Sequence, residues 1–231
     1  MTRKKNQGFT LIEIAIVLVI IGLLLGGILK GQELITSARV RNLISQQDGT
    51  KAAFFGFQDR FRALPGDYAQ AATTIACTPN CTNGNGNGQI TANGTSGATS
   101  DEYIAAWEHL SKAGFINGSY TYAASPETPT SAPVNPYSRY IQLIYDNVYD
   151  GAPTVRHNIK TGNQVPSEIL AEVDRKIDDG SATGGGFRFS VYAGGAGGTA
   201  PVGSGTCYVA AAPFNWATVT PTTNCGGASL M

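Results

Sequence analysis

The sequence predicts an α+β fold. One long N-terminal helix crosses a membrane with its first part and packs through its second part on a small antiparallel sheet with short helices and long loops. Three observations predict it. Residues 9–29 form an apolar run in which Glu13 alone is charged. Residues 30–62 contain no proline and keep apolar residues near helical spacing. The rest of the chain breaks into short runs of strand or helix periodicity, separated by Gly-, Asn- and Ser-rich segments.

The apolar run has the length of about 20 residues that a helix needs to span a bilayer core. A carboxylate inside it costs on the order of a few kcal/mol to insert. The flanking leader, MTRKKNQG, carries Arg3, Lys4 and Lys5. A secretory signal places its small-residue cleavage site after the apolar region. Here the small residue, Gly8, stands before it. A cut between Gly8 and Phe9 removes the leader, keeps the helix and gives Phe9 a free α-amino group. Residues 9 and 13 share a helix face, about 6 Å apart. The carboxylate of Glu13 then has a cationic partner in its own chain or on a neighbour, the usual way to tolerate such a charge. Gly22 and Gly26, and Gly27 and Gly31, repeat the G-x-x-x-G spacing that lets membrane helices approach closely.

The stretch Gly8-Phe9-Thr10-Leu11-Ile12-Glu13, behind a basic leader and before an apolar helix, resembles the prepilin signature of type IV pilins and type II secretion pseudopilins. The resemblance implies that a prepilin peptidase cuts after Gly8 and methylates Phe9. It implies for Glu13 a pairing with the N-terminus of an adjacent subunit during assembly. It covers roughly the first sixty residues closely. Shorter runs, RALPGD, EHLSKAGFINGSY and KIDDG, also resemble a group of type II secretion-like pilins. The implied division is a cleaved leader at 1–8, a long helix at 9–62 with its membrane part at 9–29, and a pilin-like head at 63–231.

The second half of the long helix carries Leu34, Ile35, Ala38, Val40, Leu43 and Ile44, then the stripe Phe54, Phe57, Phe61 and Leu64. Between them the polar stretch 46–51 includes Gly49, a point where the helix can kink or fray. A helix over 9–62 would be about 80 Å long. The turn Leu64-Pro65-Gly66-Asp67 ends it, with Pro and Gly at the two central positions of a type II turn. Thr99 and Glu102 offer a capping box for a helix with Tyr103, Trp107 and Leu110 on one face, stopped by Gly114. Runs 139–145, 154–159 and 187–192 read as strands, with Thr161-Gly162-Asn163 as a turn. Pro166-Ser167 opens a helix with Ile169, Leu170, Val173 and Ile177 inward. From Ala193 onward the sequence reads as loop.

The four cysteines pair by proximity as Cys77–Cys81 and Cys207–Cys225, worth about 2 and about 3 kcal/mol in the chain-entropy picture. An even count beyond the anchor points to an oxidising compartment. The alternative is a metal site built from the C-x3-C pair and a histidine, but His109 and His157 lie at no zinc-finger spacing. In NGNGNGQI, Asn83, Asn85 and Asn87 take positions 1, 3 and 5 of an EF-hand-like loop, with Gln89 a further candidate calcium ligand. Position 12 is Gly94, so the bidentate acid is missing; an Asn-Gly turn accounts for the run more simply. Asp174, Asp178 and Asp179 read as a solvated helix end. Apart from that calcium candidate no cofactor is expected.

The chain has 16 basic and 16 acidic side chains, and the leader holds three of the basic ones. Without the leader it is mildly acidic, which argues against nucleic acid as a partner. No nucleophile-elbow, zincin or phosphate-loop motif occurs, and no enzyme is expected. The positive-inside count is nearly even, since Lys30, Arg39 and Arg41 follow the helix. Cysteines and leader decide for an outside C-terminal domain. The expectation is a structural filament subunit, anchored by a single pass in an inner membrane with its head in the periplasm, then extracted into a periplasmic or extracellular filament. Its expected partners are a prepilin peptidase, other pilin or pseudopilin subunits, an inner-membrane assembly platform and the membrane. Two other functions stay in view: a pilin-borne binding module for DNA uptake or adhesion, and a membrane-tethered periplasmic enzyme.

Overall fold

The structure, a computed structural model, describes residues 10–77 and 81–231. Helix α1, Leu11–Phe61, is continuous. It runs unbroken through Gly49, so the expected weak point is helical. The chain divides into two units, 1–39 and 40–231. In the first, α1 presents its apolar side chains outward, from Leu11 (88% exposed) to Leu29 (67%). Lys30 and Glu33 pair just beyond that segment at 2.7 Å.

In the second unit α1 buries Val40, Leu43, Gln47, Thr50, Phe54 and Phe57. These residues alternate in steps of three and four, which places them on one helix face. The polar stretch at 46–51 therefore does not interrupt the packed stripe. Gln47 and Thr50 continue it, and Gln46 donates to the Val134 carbonyl at 2.8 Å. Leu34 and Ile35, counted from sequence in the same series, are exposed.

Helix α2 is the single turn Ala71–Thr74. Helix α3, Glu102–Lys112, starts from Asp101 and not Thr99, and no side chain caps it. Its end is a Schellman closure: Phe115 N–H donates to Leu110 O and Gly114 N–H to Ser111 O, with Gly114 at φ 81°. Strands β1 (Gln142–Asp146) and β2 (Arg156–Lys160) precede helix α4 (Ser167–Ile177), and strands β3 (Phe187–Phe189) and β4 (Gly227–Leu230) follow it. All neighbours are antiparallel, in the order β1-β2-β4-β3. Strand β4 lies inside the region expected to be loop, and it is an inner strand. On α4, Ile169, Leu170 and Val173 are buried, but Ile177 is 37% exposed.

Two apolar clusters hold this unit. One joins Phe54 and Phe57 of α1 to Ile104, Trp107 and Leu110 of α3 and to Leu143 and Ile159 of the sheet. The other joins Val40 and Leu43 to α4, to Phe187 and Phe189 of β3, to Trp216 and to the disulfide Cys207–Cys225. The second disulfide links Cys77 to Cys81. The architecture is α+β and pilin-like: a long apolar N-terminal helix, a small antiparallel sheet and short helices.

Candidate functional site

Glu13 sits in the first turn of α1, and Thr10 immediately precedes the helix. The two residues form a reciprocal capping box. Glu13 Oε2 accepts the Thr10 N–H at 2.7 Å and the Thr10 hydroxyl at 2.8 Å, while the Glu13 N–H donates to Thr10 Oγ1 at 3.3 Å. The first intrahelical bond, Ile14 N–H to Thr10 O, closes the turn. The spacing T-x-x-E carries this signal in the sequence, and the sequence reading missed it. The acid also stands at the positive end of the helix dipole, where a carboxylate is favoured. Gly8 and Phe9, the expected cleavage junction, lie outside the described residues.

From this cap α1 continues as a helix long and apolar enough to cross a membrane, and none of that segment is buried within the protein. Open space surrounds the Cα atoms of Gly22, Gly26, Gly27 and Gly31, where a neighbouring helix has room to approach. Residues 3–29 match the prokaryotic N-terminal methylation motif. The chain carries the type IV pilin and pseudopilin signature. The whole chain gives no match among curated proteins or solved structures. The pilin-type motif and the apolar helix fit membrane anchoring, and the motif implies a structural subunit rather than an enzyme.

The other residues singled out in this pilin-like chain are absorbed by its fold. The oxygen of Asn83 accepts the Ala72 N–H, that of Asn85 the Asn87 N–H, and that of Asn87 the Gln89 N–H. Gln89 itself is half-buried. What converges in this loop is a set of backbone N–H groups. Gly86, Asn87 and Gly88 donate at 2.7–3.0 Å to the buried carboxylate of Asp67. Asn85 and Thr91 donate to that of Glu102, at 3.1 and 3.0 Å. The glycine-rich run is thus a cradle for two buried acids, each pushed up in pKa by burial and drawn back by these donors.

His109 is fully buried. Its Nδ1 accepts the Gly66 N–H at 2.9 Å, and its Nε2 stands 2.7 Å from the Thr82 carbonyl. An acceptor role at Nδ1 puts the proton on Nε2, so the ring is a neutral bracket between the Pro-Gly turn and the following loop. Burial lowers its pKa, and burial lowers that of His157 to about 4.

Asp174 departs from the expected solvated helix end, because it is 0% exposed. Its Oδ2 accepts the Trp216 indole N–H at 2.7 Å, and burial pushes the carboxyl up to about 6. Asp178 and Asp179 are exposed.

Proposed function

We propose that this chain is a subunit of a type IV pilus-like or type II secretion pseudopilus filament. In this reading a prepilin peptidase cuts between Gly8 and Phe9 and methylates Phe9. The single-pass intermediate waits in the inner membrane with its head in the periplasm, and an inner-membrane assembly platform extracts it into the filament. The observation that carries the reading is the methylation motif continuing without a break into an exposed, membrane-length helix.

The cap geometry adds a mechanism. Glu13 already accepts the N–H of Thr10, the residue that follows Phe9. The carboxylate therefore lies against the segment that cleavage turns into a chain end. In a bundle, where water is excluded, the amine of a neighbour's Phe9 completes an ion pair with it, and assembly satisfies both charges at once.

Intact-mass measurement of membrane-extracted protein tests the processing step. The expected result in a host with a prepilin peptidase is a chain that starts at a methylated Phe9, with Gly8→Arg retaining its leader. A wild-type chain still beginning at Met1 in that host refutes the reading.

A further inference from the structure

We propose that the cavity between α1 and the end of α3 binds an uncharged N-acetylated amino sugar, held through its acetamido group by Trp107 and Gln46. The site belongs to the head alone and does not rest on the filament reading.

The cavity has a volume of about 570 Å³, within the usual range for a small-molecule site. Trp107 and Gln46 both line it. Trp107 is 1% exposed, and its indole N–H has no hydrogen-bond partner among the described residues. An orphaned buried donor is rare, because it forfeits the hydrogen bond it makes to water in the unfolded chain. The other indole, that of Trp216, follows the rule and donates to Asp174 at 2.7 Å. Gln46 leaves an acceptor in the same state. Its amide nitrogen donates to the Val134 carbonyl at 2.8 Å, which fixes the side chain. Its Oε1 is buried without a partner among the described residues. One donor and one acceptor, both unpaired, thus belong to the lining of one cavity.

The walls are held in place by the fold. Gly114 turns the chain back at the end of α3, and Phe115 packs against α1. Gly56 makes room for it, since a Cβ there would fall 2.9 Å from the Phe115 ring. Phe115 also meets Phe57 edge-on, with 6.0 Å between centroids. Tyr120 is anchored by its N–H, which donates to Ser111 Oγ at 3.1 Å. Phe115, Tyr120 and Ile141 give the cavity apolar and aromatic surface, while Ser45 and Asn117 stand exposed on its lining.

These features select the ligand. No acidic or basic residue among the described ones lines the cavity, so a charged group entering it would lose water and gain no counter-charge. A hydrocarbon would leave both orphaned atoms as they are. A secondary amide offers its carbonyl to the indole and its N–H to Gln46 Oε1, and the acetamido methyl finds apolar wall. The exposed Ser45 hydroxyl and Asn117 amide suit the ring hydroxyls of a sugar, and the aromatic side chains suit its C–H faces. A peptide amide has the same donor and acceptor but brings no hydroxyls to those two residues.

The chain has two tryptophans, so one indole N–H resonance reports the site and the other is a control. With isotope-labelled full chain in detergent, N-acetylglucosamine is expected to move one of the two resonances saturably, half-complete on the order of 1 mM. Trp107→Phe is expected to remove the moving resonance and leave that of Trp216 in place. Glucose, which lacks the amide, is expected to bind at least about tenfold more weakly, and so is N-acetylglycine methylamide, which lacks the sugar. Gln46→Met removes the acceptor from a half-buried position on α1 and is expected to weaken binding at least about fivefold, with the Trp216 resonance unmoved as the sign of an intact fold. The proposal is overturned if N-acetylglucosamine at about 100 mM leaves the Trp107 resonance where it is, in which case water satisfies the indole. It is equally overturned if glucose or the peptide amide binds as well as the amino sugar, or if Gln46→Met binds it unchanged.

Discussion

Thr10 and Glu13 exchange hydrogen bonds within one turn, so the capping role of the glutamate can be separated from the assembly role proposed for it. As a cap it needs only an acceptor oxygen; as an assembly residue it needs a charge. Glu13→Gln keeps the acceptor and removes the charge, so it should insert and be cleaved normally yet enter filaments about tenfold less or worse. Thr10→Ala gives up about 1 kcal/mol of capping and keeps the charge, so its incorporation should hold. Subunit content of sheared filaments, against total membrane level, checks both. The opposite ranking would leave Glu13 with capping alone. At His157 the test is a titration. The ring packs between Phe54 and Tyr145, with centroids at 5.6 and 4.8 Å, and its Nε2 is buried without a partner among the described residues. Its pKa falls to about 4, below the ordinary 6.5. The stability it contributes is therefore complete above pH 6.5 and is lost as pH drops toward 4. Relative to His157→Phe, the wild type should lose Tm between pH 7 and pH 5, and the imidazole proton shifts should titrate near 4. A midpoint near 6.5 would contradict the burial argument.

Among the elements, the sheet contains a buried charge whose ion-pair partner stands on the neighbouring strand. Lys160 at the end of β2 is 2% exposed and pairs with Asp146 at the end of β1. Burial lowers the pKa of Lys160, and Asp146 opposes that. Asp146→Ala leaves the ammonium buried alone and should cost about 3–5 kcal/mol in urea unfolding. Adding Lys160→Met to it should recover most of that loss, because the pair repays little more than its own desolvation. A single variant as stable as wild type would show that water reaches the ammonium. The elements also separate what the residues announce from what they do not. Helices α1, α3 and α4 and strands β1 to β3 follow from apolar periodicity, which local chemistry writes directly into the chain. Strand β4 is Gly-Ala-Ser-Leu, with no β-branched or aromatic residue. Its small side chains answer to the neighbour: a Cβ on Gly227 would fall 2.4 Å from the Phe187 ring. Such a strand is specified across the sheet and cannot be read along its own sequence.

For the molecule as a whole, the legible parts are the motif at residues 3–29, the continuous helix and the disulfides between near cysteines. Each depends on residues close together in the chain. The illegible parts depend on distant partners. Thr99 fits a capping pattern, but Glu102 turns instead to the backbone of Thr91 and Asn85. The Asn-Gly loop fits a cation pattern by spacing, but its shape is set by the acids it wraps, and Asp67 lies well before it in sequence. Asp174 looks solvated until Trp216, far along the chain, covers it.

The position of β4 has a consequence in time. It is made long after β2 and β3, yet it lies between them. A ribosome delivers β1 and β2 early as a local hairpin, and that hairpin keeps an open edge until residues 227–230 arrive. Until then the sheet is two separate pieces, and the nascent head is a late, high-contact-order folder whose exposed edge invites mispairing. The four-stranded sheet can therefore close only once residues 227–230 have been made.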